Sequence, residues 1–300
     1  YQEIVCDPKD PNKVFALDTW LNHTEDGGKT FISNPENNKH VDNHDIWIDP
    51  GNTAHWMVSC DGGLYETYDM SATWKYTENL PITQFYKVAV DYAEPFYNIY
   101  GGTQDNNSQG GPSRTLNNAG IDNADWYITN GGDGFESQID YTDPNIVYAQ
   151  AQYGWIVRYD HKSGEKVSIK PYPKKGGEAL RWNWDAPLLI SPNDHKTLYF
   201  CAQKVFKSTD RGDSWTEISG DLTRGLDRNT FKVMGKVWSI DAVAKNGSTT
   251  IYGNIVAFDE SPKKAGLLYV GSDDGLIQVT ENDGANWTKY GSFTGIPDMT

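Results

Sequence analysis

The chain has 300 residues, with 26 Lys and Arg against 41 Asp and Glu, a net charge of −15. That balance argues against DNA and RNA as partners, because phosphate backbones are held by basic stripes, and it disfavours anionic membrane surfaces. No apolar run approaches the ~18–20 residues that span a bilayer, so no membrane insertion is expected. Aromatic residues make up 13% of the chain, alongside 29 Gly and 14 Pro, the profile of short strands joined by tight turns. Cys6, Cys60 and Cys201 are an odd number at wide spacing, and they read as small buried strand residues. The chain opens directly in a strand-like segment and reads as a portion of a longer protein.

A repeat runs through the sequence in order. An apolar strand meets an Asp-Pro-like turn, and a strand of Val-Tyr-Ala type follows. The first copy is Val5-Cys6-Asp7-Pro8, then Val14-Phe15-Ala16. The turn recurs at Asp49, Asp91, Asp140, Ser191 and near position 260, each time followed by such a strand. A period of ~40–50 residues with several strands per copy predicts β-propeller blades. Six repeats start near positions 1, 44, 86, 135, 186 and 254. An insertion at about 221–253 separates the fifth from the sixth. The whole chain, 1–300, is expected to be one all-β propeller region of four-stranded antiparallel blades, with almost no helix. The run from Phe293 to Thr300 is expected to lead toward a further blade of a larger ring.

An octapeptide follows about twenty residues after the turn in four copies: Thr24–Phe31, Thr67–Trp74, Ser208–Trp215 and Thr280–Trp287. The pattern is Ser/Thr-x-Asp-x-Gly-x-Thr/Ser-Trp. It predicts a hairpin turn in which Asp26, Asp69, Asp210 and Asn282 accept hydrogen bonds from turn N–H groups and Gly takes the position with positive φ. Trp74, Trp215 and Trp287 are expected to be largely buried over the hairpin.

This octapeptide resembles the Asp box, or BNR repeat, of sialidases, sortilin-type receptors and xyloglucanase-type glycoside hydrolases. The stretch from His44 to Trp287 is similar to a bacterial group of large secreted Asp-box propellers labelled glycosyl hydrolase or sortilin-like. The segments that carry this are Gly101-Gly102-Thr103-Gln104-Asp105-Asn106, Gly131-Gly132-Asp133-Gly134-Phe135 and Arg181-Trp182-Asn183-Trp184-Asp185. The resemblance implies the fold and an extracellular, periplasmic or cell-surface location. It does not imply an activity, since Asp boxes are structural and one fold hosts many functions.

Blade geometry then sorts the loops. In a meander A–B–C–D, the A–B and C–D turns share one face, and the B–C loops and blade crossovers share the other, around the channel. The second face gathers His44, Asp45, Gln104 and Asp105. It also gathers Asp133, Gln152, Tyr153 and Arg181, then Trp182, Trp184, Asp185 and Asp274. Convergent polar and aromatic side chains at a concave mouth are the default ligand site. Of Trp182 and Trp184, only one is expected to line the channel. Asp105 and Asp133, on loops of adjacent repeats, are the candidate catalytic pair, with Arg181 or Gln152 orienting a ligand. Asp133 is expected to be exposed enough that Asp133→Asn costs within about 1 kcal/mol.

No cofactor or metal centre is expected. His40 and His44 have the spacing of a helical metal pair, but the Asn-rich segment around them reads as loop. The acidic loops lack the spaced oxygen ligands of a dedicated Ca²⁺ site, leaving room only for a loop-bound ion. Two functions fit. One is an extracellular binding and scaffold module that captures a glycan, a peptide or a protein. The other is a glycoside hydrolase, which needs carboxylates about 5–5.5 Å apart for retention or about 6.5–9.5 Å for inversion. The sialidase version fails, because no Arg-Ile-Pro occurs and Arg211 already belongs to an octapeptide.

Overall fold

The computed structural model describes residues 3–78, 80, 82–243, 245 and 251–295. These form six four-stranded antiparallel sheets, one per repeat, and the fold class is that of β-propeller blades. Blade 1 comprises β1 (Glu3–Cys6), β2 (Val14–Leu17), β3 (Asn22–Thr24) and β4 (Ile32–Ser33); blade 2 comprises β5 (Asn43–Ile48), β6 (Trp56–Cys60), β7 (Gly63–Thr67) and β8 (Lys75–Tyr76). Blade 3 holds β9 (Lys87–Val90), β10 (Asn98–Gly102), β11 (Ser108–Pro112) and β12 (Tyr127–Asn130). Blade 4 holds β13 (Gly134–Ile139), β14 (Ile146–Ala151), β15 (Trp155–Asp160) and β16 (Lys166–Ser168). Blade 5 holds β17 (Leu188–Ile190), β18 (Leu198–Cys201), β19 (Val205–Ser208) and β20 (Thr216–Glu217). The insertion carries a 3₁₀ turn at Arg228–Thr230 and a hairpin of β21 (Lys232–Val233) and β22 (Lys236–Val237). Blade 6 closes the list with β23 (Ile255–Glu260), β24 (Leu268–Ser272), β25 (Ile277–Thr280) and β26 (Thr288–Tyr290). Residues 296–300, on which the expected onward run depends, lie outside the described residues.

The chain divides into two compact units, Tyr1–Thr83 with blades 1 and 2 and Gln84–Thr300 with blades 3 to 6. In the first unit, Phe15, Leu17 and Leu21 of blade 1 pack with Ile46, Ile48, Trp56 and Val58 of blade 2. The second unit has a core at each junction. Tyr100 meets Val147 and Tyr159 between blades 3 and 4. Tyr148 and Ile156 meet Leu188, Phe200 and Phe206 between blades 4 and 5. Tyr199 and Val205 meet Ile255, Leu268 and Val270 between blades 5 and 6. In β18 all four residues are buried, because this strand has a blade on each side and both faces are covered. The three cysteines are free; Cys60 and Cys201 are buried strand residues as expected, whereas Cys6, at the end of β1, is exposed.

The four octapeptides share one geometry. Two successive residues adopt positive φ in each: Gly27 and Gly28, Met70 and Ser71, Arg211 and Gly212, Asp283 and Gly284. The acidic side chain spans the turn. Asp26 Oδ1 accepts the Lys29 and Thr30 N–H groups at 2.9 Å, and Asn282 Oδ1 accepts the Asn286 N–H at 3.0 Å. The Thr30 N–H, then the Thr24 and Thr30 hydroxyls, hold the Asp26 carboxyl down at about 2. Hydrogen bonds from turn donors likewise hold Asp69 and Asp210 below the ordinary carboxylate range.

The tryptophans differ from expectation. Trp74, Trp215 and Trp287 are half-buried rather than largely buried, because each ring lies at the rim and reaches back to the preceding blade with its indole N–H. Trp74 donates to the Pro35 carbonyl at 2.9 Å, Trp215 to Ile169 at 2.7 Å and Trp287 to Ile218 at 3.2 Å. The glycine of the turn presses on the same place: a Cβ on Gly284 would stand 2.4 Å from the Ile218 oxygen, and one on Gly212 would stand 2.6 Å from Ile169 Cδ1.

Two outcomes test this. Gly28 also has positive φ but has open space around it, so Gly28→Ala should cost about 1 kcal/mol from backbone strain alone. Gly284→Ala adds the clash with Ile218 and should cost about 1–3 kcal/mol more, read from paired denaturant titrations. Depressed carboxylates stabilise the fold above their unfolded pKa of about 3.9, and that contribution is lost as pH falls toward 2. Replacing Asp26, Asp69 and Asp210 together by Asn, as position 282 already is, should flatten the acid limb of stability between about pH 4 and 2.

Candidate functional site

Blades 3 and 4 lack the octapeptide, and their junction is tied at the opposite face. There the backbones of Gly102 and Gly134 approach so closely that a Cβ on Gly102 would stand 2.2 Å from the Gly134 carbonyl carbon. The approach carries Asp133 between two loops. Its Oδ1 accepts the Asp105 N–H at 2.8 Å, its own N–H donates to Gln152 Oε1 at 2.8 Å, and its carbonyl accepts the Gln152 N–H at 3.2 Å. Asp133 is 8% exposed. One residue thus clamps two loops: its carboxylate holds the B–C loop of blade 3, and its backbone N–H and carbonyl hold the B–C loop of blade 4.

Below the clamp, three first-strand segments place their charges together. Lys87 of β9 reaches Glu136 of β13, with Nζ 3.1 Å from Oε2, and Asp185 just before β17, 2.8 Å from Oδ2. Both carboxylate oxygens lie within ~3 Å of one nitrogen, so they are no more than about 6 Å apart. Burial pulls the Lys87 ammonium pKa down, but Asp185 and then Glu136 outweigh it, and the net shift is upward. Gln138 Nε2 donates to the second oxygen of Glu136 at 2.8 Å, whereas Asp185 Oδ1 is buried with no donor among the described residues. Sequence reasoning missed Lys87 and Glu136 because it collected loops. The signal was present: each stands four residues before its repeat's turn aspartate, Asp91 and Asp140, as Asp45 does before Asp49.

Aromatic rings flank the charges. Trp184 meets Phe135 and Tyr153 edge-on, with centroids 6.4 and 4.9 Å apart, and Tyr86 stacks on Phe135 at 5.1 Å. The Tyr86 hydroxyl is hydrogen-bonded to Gln104. Tyr153 has φ 59° and ψ 33°, a left-handed conformation rare for a bulky residue, and its ring is 46% exposed. Its carbonyl accepts Lys170 Nζ at 2.8 Å. Gly154 follows, also at positive φ, pressed against the Trp182 ring so that a Cβ would stand 2.4 Å away.

The remaining candidates fall elsewhere. Trp182 is a core residue, 8% exposed and stacked on Phe200 at 4.8 Å, so of the two tryptophans Trp184 is the one left near the surface. Asp274 is fully buried and takes the Arg224 N–H and the Ser272 hydroxyl; it is turn structure, because its carboxylate is consumed by donors from its own blade and the insertion. Arg181 does not orient a ligand between Asp105 and Asp133. Its guanidinium is held by Glu178 at 2.7 Å, Asp221 at 2.5 Å and the Gly253 carbonyl at 3.0 Å, which brace the insertion. His44, beside Asp61, and Asp45 belong to the first unit. Asp133 is buried, so the expectation that it is an exposed side chain is also corrected.

No protein-family model matches the chain, and no curated protein sequence matches it. Solved structures similar to it include a GH74 xyloglucanase from Xanthomonas campestris, 14% identical over 93% of this chain and 44% of that one, with a TM-score of 0.41. A GH74 enzyme of Niastella koreensis is 12% identical over 98% and 59%, with a TM-score of 0.32. YCF48 from Cyanidioschyzon merolae is 11% identical over 96% and 84%, with a TM-score of 0.40. The chain therefore spans less than two thirds of the two GH74 chains. Likeness at this level carries no argument about residues or chemistry.

The clamp and the lysine make separate predictions. Asp133→Ala strips the acceptor from a part-buried N–H and should cost about 1–3 kcal/mol, while Asp133→Asn keeps an acceptor and should stay within about 1 kcal/mol. Lys87→Met leaves two carboxylates facing each other with no cation between them, which is destabilising. The variant should therefore melt below wild type in thermal melts at neutral pH.

Proposed function

We propose that this chain is a segment of an Asp-box propeller that works outside the cytoplasm as a binding module, and that the channel face of blades 3 to 5 captures a glycan. The observation that carries this is Tyr153, a half-exposed ring held in a left-handed backbone conformation that costs about 1–3 kcal/mol. Strain of that size is retained where a side chain must be presented, and a tyrosine face beside Trp184 is a platform for a sugar ring. The carboxylates of Asp185 and Glu136 supply acceptors for hydroxyl groups, and Lys87 supplies a donor. Peptide or protein capture uses the same groups and differs in which ligand binds.

A glycoside hydrolase is the second reading, favoured by the short separation of Glu136 and Asp185, which is compatible with retention. Against it, hydrolysis needs one carboxyl to arrive protonated, and here a single ammonium is paired with both. Binding is therefore preferred.

The deciding experiment is a glycan panel titrated against wild type, Tyr153→Asn and Asp185→Asn, with hydrolysis followed in parallel. Asn tolerates the left-handed region, so Tyr153→Asn should keep stability within about 1 kcal/mol and weaken the glycan at least ~10-fold, or about 1.4 kcal/mol. Turnover by wild type that Asp185→Asn abolishes would establish the hydrolase instead. Peptide binding without glycan binding would overturn the glycan assignment.

A further inference from the structure

At the opposite end of blade 4, the connection from β15 to β16 is short, 161–165, where blades 1, 2, 5 and 6 carry the octapeptide. It is closed by Asp160, whose Oδ1 accepts the Lys162 and Ser163 N–H groups at 2.9 and 3.1 Å. The shorter turn leaves a cleft of about 300 Å³ between blade 4 and the octapeptide of blade 5.

Register places the blade 4 lining on one sheet face. Ile146 lies opposite Asp160, and Arg158 lies between Tyr148 and Val167. Residues two apart on a strand are about 6–7 Å from each other, so Arg158 and Asp160 present opposite charges side by side. From blade 5 come Arg211 and Asp213. Arg158 Nη1 donates to the Arg211 carbonyl at 2.8 Å and to Asp213 at 2.9 Å, and its Nη2 and Nε make no hydrogen bond among the described residues. Arg211 Nη2 donates to Asp140 at 2.9 Å, while its Nε–H is buried with no acceptor among the described residues. The Tyr148 hydroxyl, on the same face, is likewise buried with no partner among them. A charged donor left unmet is expensive. On the other side, Asp160 Oδ2 and the Glu165 carboxylate have no donor among the described residues, and Ile146 and Val167 give the cleft an apolar wall.

We propose that this cleft binds a free α-amino acid with a small aliphatic side chain. The carboxylate of the ligand accepts from Arg158 and Arg211, its ammonium donates to Asp160 and Glu165, and its side chain lies on Ile146 and Val167. A simple anion would face three acidic side chains, and a simple cation two guanidinium groups. Only a dipolar ligand meets both. This site is independent of the channel face.

Calorimetric titration with L-valine and L-leucine tests it, alongside isovalerate and isobutylamine, which each carry half of the dipole. Wild type should bind an amino acid at least ~10-fold more tightly than either half-ligand, and Arg158→Gln, checked to be folded by its circular dichroism, should weaken it at least ~10-fold. Val167→Trp, which fills the cleft, should abolish binding. The proposal is overturned by no heat with either amino acid up to about 10 mM, by isovalerate binding as well as valine, or by Arg158→Gln binding as wild type does.

Discussion

One contact recurs wherever an octapeptide follows another blade in its unit: an indole N–H donated to the carbonyl just past the last strand of the preceding blade. Trp74, Trp215 and Trp287 all make it. A single hydrogen bond of this kind contributes about 0.5–1.5 kcal/mol, but its value is positional. It fixes the outer edge of one sheet against the next, while the apolar junction cores fix the middle. The pair of positive-φ residues in each turn exists to bring the ring there. A mainly hydrophobic contact would leave the blades free to slide, since apolar burial has no direction.

Where this contact is missing, the structure finds other uses for the space. Blades 3 and 4 have no octapeptide. Their junction is secured at the other face, by the Gly102–Gly134 approach and by Asp133. Blade 4 also opens a cleft toward blade 5, because its short turn does not fill the rim. The charged cluster of Lys87, Glu136 and Asp185 and the strained Tyr153 belong to the same three blades. Departure from the repeat in blades 3 and 4 thus accompanies the shared ammonium of the charged cluster, the strained Tyr153 and the cleft.

Much of the fold could be read from the sequence, because turn chemistry and strand patterning repeat. The Asp at each A–B turn and the octapeptide are local signals whose hydrogen bonds close within a few residues, so they survive without tertiary information. The site was less readable. Gln104, Asp105, Asp133, Gln152, Tyr153, Trp184 and Asp185 were found by counting loops, yet loop position alone could not show that Asp133 spends an oxygen on a neighbouring N–H. Nor could it show that Asp274 is buried under Arg224, or that Arg181 braces the insertion. Lys87 and Glu136 were missed for a different reason. A charged residue on a first strand looks like ordinary alternation until the blades are stacked, and only stacking places position four before the turn in one column. The half-burial of the tryptophans has the same origin, since their acceptor lies in the previous repeat.

The two ends of blade 4 are chemically distinct but share one strand. β14 carries Tyr148 toward the cleft end and Gln150 toward the channel end, two residues apart and both fully buried. Gln150 accepts the Glu136 N–H at 3.3 Å and donates to the Ala151 carbonyl at 3.0 Å. Between the sites stands a strand whose neighbours on both sides are packed, with Val147, Tyr148, Ala149 and Ala151 at zero exposure. Such interiors are dense and shift between discrete packings rather than deforming gradually. A ligand at one end could influence the other only by moving β14 against the blade 5 core, which would require giving up contacts of Tyr148 with Leu188 and Phe200. Small ligands make differential contacts worth a few kcal/mol at most, and nothing at either end offers a second packing for β14 to adopt. The strand therefore acts as a partition, and ligands at the two proposed sites would bind independently of each other.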